Sequence, residues 1–348
     1  MSLKRAEKDA KIKKGGTTLL ERIRPRDLRQ RLQKLHKEEF ARLKKKYPVI
    51  EVKRCIACQG RRLHIDFFKL GFPYVRCRDC NTVFLSRRFP NSAIIDYFSN
   101  SKAESFWANE ILPRVERERY INIAKPKCGL IKERIFSVSG RKKFNIMVEV
   151  GAGTGTLRKA FMRDKFAGRY DCIEPSISAC RFLKRQNWGE VFCCSLDLFL
   201  LKESQKYPLA LANGVIEHPS DLRVFFKDIA KILEPQGYLA LSSSGADGLD
   251  SLVIPGGLPN AWPPHVQNFL SKRGLECLGK SAGLKMLLYE SIGKLDVDLL
   301  YEYAKDNSIA YVRNWSVLLE DPDFRKDFQG LLARYNKSGF YLAIFKKI

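Results

Sequence analysis

Hydrophobic and polar positions change their spacing several times along this chain of 348 residues. In its second half, short apolar runs rich in β-branched residues alternate with segments whose apolar residues recur at helical spacing. The runs that predict strands are 145–150, 170–173, 191–194, 209–213, 238–243, 284–292 and 340–345. Strands that alternate with helices are typical of a parallel sheet with helices on both faces. The pattern therefore predicts an α/β fold with a seven-stranded, Rossmann-like sheet.

The part before this core has a different pattern. Residues 1–50 predict a basic arm that is disordered at first and then forms an amphipathic helix from Leu19 to Tyr47, with Pro48 ending it. Residues 51–90 hold a cysteine module, and 91–140 predict helices that cover the core. The core then fills 141–348, with a mostly helical insertion at 296–338.

A glycine-rich turn, VEVGAGTGT from Val148 to Thr156, joins the first core strand to the first core helix. Such a turn lets a ligand approach the backbone and brings the N–H groups of the helix close to it. A dinucleotide site would need a third glycine at position 156, where the chain has threonine. The pattern therefore argues against NAD. The next strand ends in Glu174, which is placed to accept hydrogen bonds from both hydroxyls of a ribose.

Four cysteines form two C-x-x-C pairs, Cys55 with Cys58 and Cys77 with Cys80, separated by 18 residues. Two thiolate pairs at this spacing can close a tetrahedral zinc site. Because sulfur takes all four positions, the metal has no open coordination site, and its role is structural. The sequence therefore predicts a zinc ribbon whose folding energy comes from the bound ion.

The composition is that of a globular protein, with 45% hydrophobic residues and no apolar run long enough to cross a bilayer. The first residues are basic but lack the apolar stretch of a secretory signal. The 10 cysteines fit a reducing compartment if several bind metal. We therefore expect a cytoplasmic protein. The sequence leaves its oligomeric state open.

The net charge of +25 is unevenly distributed. Residues 1–54 hold 19 lysines and arginines against 7 acidic residues, about half of the excess. This basic arm could bind nucleic acid, an anionic membrane surface or an anionic substrate, or could simply be a solvated face.

The order of motifs resembles a known family. The E-x-G-x-G-x-G run from Glu149 to Gly155 resembles motif I of the class I methyltransferases, which bind S-adenosylmethionine. The remaining matching segments are TVFL at 82–85, RFP at 88–90, VIEHP at 215–219, LEPQG at 233–237, PPHVQNFLS at 263–271 and GKLDV at 293–297. Together with the ribbon, they resemble zinc-ribbon class I methyltransferases of bacterial surface-polysaccharide and deoxysugar pathways. The resemblance covers roughly residues 50–348.

This resemblance implies S-adenosylmethionine as cofactor and a sugar-type acceptor, either a nucleotide-sugar or a surface saccharide. It also implies the residues that hold the cofactor: Glu149, Gly151, Ala152, Gly153 and Gly155 around its carboxypropyl end, Glu174 on the ribose, Ser195 and Asp197 near the adenine, and Asn213 and Gly214 beside the methionine moiety. Trp107 could close over the cofactor or lie in the core.

Methyl transfer also needs removal of one acceptor proton, for which histidine is the natural base. His265 is the first candidate, and His218, preceded by Glu217, is the second. In the related sugar C-methyltransferases the corresponding histidine commonly follows a glutamate, but here Pro264 precedes it. This departure weighs against enolisation of a keto-sugar and favours O-methylation or another base.

Two other functions fit the same chain. An RNA-modifying methyltransferase could use the basic arm and the ribbon to bind phosphates. A catalytically silent scaffold could keep the fold, although the complete glycine motif and Glu174 argue against it.

Overall fold

The computed structural model describes residues 18–254, 261–306 and 310–348. The disorder expected for residues 1–18 therefore falls almost wholly outside the described residues. The strands are β1 (Ile50–Glu51), β2 (Leu63–Lys69), β3 (Phe72–Cys77), β4 (Val83–Leu85), β5 (Arg87–Arg88), β6 (Phe144–Val150), β7 (Ala167–Ile173), β8 (Val191–Phe192), β9 (Tyr207–Asn213), β10 (Leu233–Ser244), β11 (Asn268–Phe269), β12 (Leu284–Ser291) and β13 (Phe340–Lys347).

The α-helices follow one another along the whole described chain. They are α1 (Leu19–Ile23), α2 (Arg26–Lys46), α3 (Asn91–Asn100), α4 (Lys102–Phe106), α5 (Leu112–Arg119), α6 (Lys125–Ser139), α7 (Thr156–Arg163), α8 (Ile177–Lys184), α9 (Leu196–Lys202), α10 (Leu222–Ile232), α11 (Leu249–Val253), α12 (Lys272–Ser281), α13 (Asp296–Lys305), α14 (Ala310–Leu318) and α15 (Pro322–Arg334). None of the described helices combines the length and the apolar character that crossing a bilayer requires.

The predicted seven-stranded sheet is confirmed, in the order β12-β13-β10-β9-β6-β7-β8. Parallel pairing joins β10, β9, β6, β7 and β8, while β13 is antiparallel to both of its neighbours. The chain runs outward from β6 to β8 and then returns to β9 on the other side of β6. Ligands bind beyond the carboxyl ends of such sheets, at the point where the strand order reverses. The topology therefore directs attention to the ends of β6 and β9.

One long helical segment, 102–139, precedes the sheet. It consists of α4, α5 and α6 joined without a break by two π-helical turns, Trp107–Ile111 and Tyr120–Ala124. Such turns are rare and frequently mark functional sites. The helical cover expected from the sequence thus contains two local irregularities that its apolar pattern does not reveal.

The amphipathic helix of the basic arm is interrupted. The sequence pattern predicts one helix over 19–47, whereas the structure has α1 and α2 separated at Arg24 and Pro25. Arg24 adopts an extended conformation with φ of −149°, because the residue before a proline is disfavoured in the helical region. The apolar side of α2, with Phe40 and Leu43, packs on the body of the protein. This part of the arm is thus packed on the rest of the protein.

The cysteine module pairs directly with the core. Strands β2, β3 and β4 form a small antiparallel sheet, and β11, from the loop that follows β10, adds a fourth strand to it. Phe269 pairs with Val83, and the hydroxyl of Tyr74 donates to the carbonyl of Val266 at 2.5 Å. The module therefore holds the segment that contains His265.

Candidate active site

A cavity of about 1190 Å³ lies beyond the carboxyl ends of β6, β7 and β9. Its walls come from the glycine turn, the arm helices α1 and α2, the helical segment 102–139 and the loop before β11. The cavity is where the strand order reverses, as the topology requires for a ligand site. Its size suits a ligand as large as a nucleoside derivative.

The glycine turn forms the floor of the cavity. Gly151, Gly153 and Gly155 all have positive φ, at 70°, 53° and 79°, a region that favours glycine. A Cβ at Gly153 would meet no atom within 4 Å, so this position opens onto the cavity. A Cβ at Gly155 would lie 2.6 Å from Leu183, and Gly155 is not among the described residues that line the cavity. Of the three, Gly153 is the one that leaves room for a ligand.

Glu174 is fixed at the end of β7. One carboxylate oxygen accepts the N–H of Gly153 at 2.8 Å and the other accepts that of Ser176, also at 2.8 Å. Burial raises the pKa of Glu174, and these two hydrogen bonds oppose the rise. A carboxylate oxygen can accept a second bond, so both remain able to bind hydroxyl groups in the cavity. This is the geometry expected of a ribose-binding carboxylate.

Glu149 lies deeper in the floor, fully buried on β6. It accepts the hydroxyl of Tyr170 at 2.8 Å. Burial raises the pKa of Glu149 to about 8, against the effect of that hydrogen bond. The carboxyl group is therefore largely protonated at neutral pH.

Polar groups at the ends of β8 and β9 complete this part of the cavity. The side-chain oxygen of Asn213 accepts from Lys127 at 2.7 Å and from Ser242 at 2.8 Å. The hydroxyl of Ser195 is buried and has no partner within the described chain. A buried polar atom without a partner is costly unless a ligand bonds to it. Its position in the wall fits the ligand-binding role expected of it.

His218 uses both ring nitrogens within the protein. Nδ1 lies 2.5 Å from the carbonyl oxygen of His265, and Nε2 lies 2.9 Å from that of Gly214. Carbonyl oxygens only accept hydrogen bonds, so neither nitrogen is free to take a proton from a substrate. Glu217 is held in a similar way, because its carboxylate accepts the N–H of Ser244 at 2.8 Å. Both line the cavity, but the contacts of each are those of a positioning group.

His265 lies among other aromatic rings at the cavity wall. Its ring centre is 4.8 Å from that of His218 and 5.4 Å from those of His36 and Tyr97. Burial lowers the pKa of His265 well below its ordinary value, and the neighbouring side chains of His218, His36 and Arg24 contribute to the lowering. The imidazole is therefore neutral at neutral pH, which is the form that can accept a proton.

A carboxyl group from the helical cover lies beside this imidazole. Oε1 of Glu104 is 3.6 Å from Nε2 of His265. Burial, together with the nearby charge of Glu174, raises the pKa of Glu104 to about 8. At neutral pH this contact therefore joins two mainly neutral groups and is not an ion pair. Where the related methyltransferases commonly have a glutamate before the histidine, this chain has Pro264, and Glu104 on α4 instead places a carboxyl group beside His265.

Several lining residues were not singled out in the sequence. They are Arg24, His36, Glu104, Arg119, Lys127 and Trp262. His36 is assigned to the basic helix by its sequence position alone, yet it lines the cavity, and its Nδ1 lies 2.7 Å from the hydroxyl of Tyr97. Burial lowers the pKa of His36 to about 4. Because His36 belongs to a helix rich in basic residues, the sequence gives no indication that it is buried against Tyr97.

The residues expected to bind the cofactor are brought together, apart from Gly155. The candidates that line the cavity are Glu149, Gly151, Ala152, Gly153, Glu174, Ser195, Asp197, Asn213, Gly214, Glu217, His218 and His265. Trp107 lines it too, and this partly exposed side chain also packs against the buried cluster formed by Leu28, Phe106, Ile111 and Val115.

The four cysteines also meet. The sulfur of Cys55 is 3.5 Å from that of Cys80, that of Cys58 is 3.6 Å from that of Cys77, and all four lie within 4.8 Å of one another. Four sulfurs bonded to one zinc ion at 2.3 Å would be about 3.8 Å apart. The donor set and its spacing therefore fit a tetrahedral metal ion.

Comparisons with known proteins agree with this geometry. A family model described as a methyltransferase domain matches residues 121–289. A PKS-NRPS hybrid synthetase of Chaetomium globosum is 28% identical over 127 residues, and the alignment covers 33% of this chain but only 3% of that protein.

Solved structures give weaker likeness. A Galdieria sulphuraria protein described as a sarcosine dimethylglycine methyltransferase has a TM-score of 0.44 at 19% identity, covering 68% of this chain and 88% of its own. A SAM-dependent methyltransferase of Leishmania major has a TM-score of 0.42 at 15% identity, covering 57% and 75%. The family match, the strand order and the glycine turn with Glu174 carry the assignment instead. Residues 121–289 therefore match a methyltransferase domain, and the seven-stranded sheet that they help to form has the class I methyltransferase fold.

Proposed function

We propose that this chain is an S-adenosylmethionine-dependent methyltransferase that methylates a sugar-type acceptor, a nucleotide-sugar or a saccharide, with His265 as the base. The observation that carries the proposal is the neutral imidazole of His265 in the wall of the cavity that Glu174 and the glycine turn also form. S-adenosylmethionine supplies an activated methyl group, so the protein has to position the acceptor and remove one proton.

The binding residues divide along the cavity. Glu174 would hold the ribose, Ser195 and Asp197 the adenine, and Asn213 and Gly214 the methionine end. The unpartnered hydroxyl of Ser195 and the open space at Gly153 support this arrangement, because both are features that a ligand would complete. Glu149, buried beneath the turn, would shape the floor without carrying charge to the cofactor.

The base would act in two steps. Neutral His265 takes the proton of an acceptor hydroxyl as the methyl group is transferred. The imidazolium that forms would then be stabilised by Glu104, whose carboxyl group lies 3.6 Å from Nε2 and would lose its own proton to water, leaving a carboxylate beside the imidazolium. This glutamate removes the objection that Pro264 raises against an assisted base, so both O- and C-methylation are compatible with the site.

A small acceptor is favoured over RNA by the position of the arm. Helix α2 packs its apolar side on the body, and α1 and α2 supply cavity wall, so this part of the arm is not a free basic tail. RNA modification is the alternative, favoured by the high net charge of +25. Residues 1–17, where a further anion-binding segment would lie, are outside the described residues.

We also infer that the four cysteines bind one structural zinc ion. The thiolate spacing and the absence of an open ligand position support this role. The ion would stabilise the module that holds the His265 segment. The cytoplasmic location expected from the sequence stays a prediction.

A methyl-transfer screen tests the acceptor class. Purified enzyme with S-adenosylmethionine labelled in the methyl group is incubated with nucleotide-sugars, saccharides and total RNA, with and without His265→Asn. Label on a sugar acceptor that disappears in the variant supports the proposal. Label on RNA alone, or undiminished transfer by the variant, overturns the acceptor or the base respectively.

A further inference from the structure

Two arginines of the cavity wall form no ion pair with any of the described residues. Arg24 lies at the break between α1 and α2, and Arg119 is the last residue of α5. Their guanidinium carbons are 5.9 Å and 5.2 Å from the ring centre of Trp107. All three residues line the cavity described above. Trp107 and Arg119 also border the two π-helical turns of the cover.

The two arginines belong to a row of neighbouring cations. Burial lowers the pKa of Arg119 to about 10, and the charge of Arg24 lowers it further. Burial lowers the pKa of Lys127 to about 8, and the charge of Arg119 adds to that shift. Cations that depress one another's pKa lie close together, so this side of the cavity is electropositive.

Within the described chain, neither Arg24 nor Arg119 forms an ion pair. Nε of Arg24 is buried and has no hydrogen-bond acceptor. Glu217 is near enough to act on Arg24 through its charge, but one of its carboxylate oxygens is bonded to the N–H of Ser244. By contrast, the neighbouring Arg29 pairs with Glu21 at 3.0 Å. Both arginines are half-buried, and a buried Nε without an acceptor is costly, so an anionic ligand that accepts from Arg24 and neutralises both charges would complete this site.

The shape of the site selects the class of anion. The arginines lie within a cavity shared with the glycine turn rather than on an open face, so a small molecule fits better than a polymer. Guanidinium groups bind phosphate oxygens through paired hydrogen bonds. Lys127, which already donates to Asn213 at the methionine end, is the better placed cation for the cofactor's carboxylate.

We propose that Arg24 and Arg119, both of which lie against the ring of Trp107, bind a phosphate group of the acceptor. This inference rests on the proposed function, since it assigns the charged part of the molecule that is methylated. It means that the basic arm serves the active site itself, because Arg24 belongs to that arm.

The test uses inorganic pyrophosphate as probe, titrated calorimetrically into the full-length protein at physiological ionic strength, with and without S-adenosylhomocysteine. The variants are Arg24→Gln and Arg119→Gln, and the matched control is Arg22→Gln, which removes an exposed arginine paired with Glu118. Circular dichroism confirms that each variant is folded, and Arg24→Lys and Arg119→Lys replace any that is not.

The site predicts that Arg24→Gln and Arg119→Gln each weaken pyrophosphate binding roughly 10- to 100-fold, the effect of losing a charged hydrogen-bond partner. Arg22→Gln should change it less than about 2-fold, because exposed pairs contribute little. S-adenosylhomocysteine affinity should be unchanged in all three.

Wild-type pyrophosphate affinity in both cavity variants would overturn the inference, as would absence of pyrophosphate binding by wild-type protein that binds S-adenosylhomocysteine. Loss of S-adenosylhomocysteine affinity in the variants would also overturn it, by assigning the arginines to the cofactor's carboxylate. Pyrophosphate binding that depends on the arginines, in protein that never binds S-adenosylhomocysteine, would support the anion site and refute the proposed function.

Discussion

Replacing Gly153 with alanine separates the cofactor site from the stability of the fold. Gly153 has φ of 53°, and a Cβ there would meet no protein atom within 4 Å. The added methyl group therefore meets open cavity, where the account places the cofactor. Gly140, the exposed cap of α6, has φ of 70° and equally open surroundings, which makes Gly140→Ala the matched control.

Both variants should lose stability, but only Gly153→Ala should lose affinity for S-adenosylhomocysteine. A left-handed conformation costs a non-glycine residue about 1 kcal/mol or slightly more, so both variants should lower Tm by roughly 2–4 °C. Only Gly153→Ala adds a methyl group to a filled binding site, and overpacking costs about 1–3 kcal/mol. That corresponds to a Kd for S-adenosylhomocysteine weaker by roughly 5- to 150-fold.

Calorimetric titration with S-adenosylhomocysteine, paired with thermal melts, measures both effects. The expected result is equal loss of Tm and loss of affinity in Gly153→Ala alone. If the two variants bind S-adenosylhomocysteine as tightly as the wild type, Gly153 does not face the cofactor and the reasoning is refuted.

Four further predictions concern the same cavity. Glu174→Gln should weaken S-adenosylhomocysteine binding by about 1.5–3 kcal/mol, one charged hydrogen bond, and unchanged affinity in a calorimetric titration would contradict the ribose assignment. His265→Asn should lower kcat roughly 10²- to 10⁴-fold at unchanged cofactor affinity. The kcat of the wild type should stay level down to about pH 6, because the lowered pKa keeps the imidazole neutral there, and a fall of kcat with the ordinary pKa of histidine would argue against His265 as the base. Chelation of the proposed zinc ion, or Cys77→Ser, should abolish turnover at an earlier time than it abolishes cofactor binding, because β4 of the cysteine module holds β11 next to the His265 segment. Turnover and cofactor binding are measured at successive times after chelator is added, and their loss at the same rate would contradict this prediction. Folding raises the pKa of Glu149 from 4.5 to about 8, so its contribution to stability is present below pH 4.5 and is lost as the pH rises to about 8. The free energy of unfolding of the wild type should therefore fall over this pH range, and Glu149→Gln should reduce that fall. Denaturant titrations that show the same pH dependence for both proteins would contradict the assignment.

The sequence predicts the parts of this enzyme that depend on local pattern. Alternating apolar runs place the seven strands, since each strand must bury its side chains whatever its partner. The glycines with Glu174 mark the cofactor end, because a tight strand-to-helix turn demands them. The cysteine spacing brings four sulfurs together, since each pair needs only a short knuckle turn.

Contacts between distant segments could not be predicted in this way. Glu104 contacts His265 although the two residues are 161 positions apart in the sequence, and nothing in the local sequence of either residue indicates the other. The pairing of β11 with β4 is equally hidden, because two residues carry no periodicity. The sequence does contain one sign of the contribution of Arg24 to the cavity. Pro25 lies inside an otherwise helical pattern and indicates the helix break at which Arg24 lies. His218 was a candidate base by residue type, and only the two carbonyl contacts show that its nitrogens are occupied.

The central claim is that the cavity beyond β6 and β9 binds S-adenosylmethionine, and equilibrium dialysis with the labelled cofactor measures this most directly. The account predicts one molecule retained per chain, displaced by S-adenosylhomocysteine and by no dinucleotide. Absence of retention at millimolar cofactor, by folded and metal-loaded protein, would contradict it.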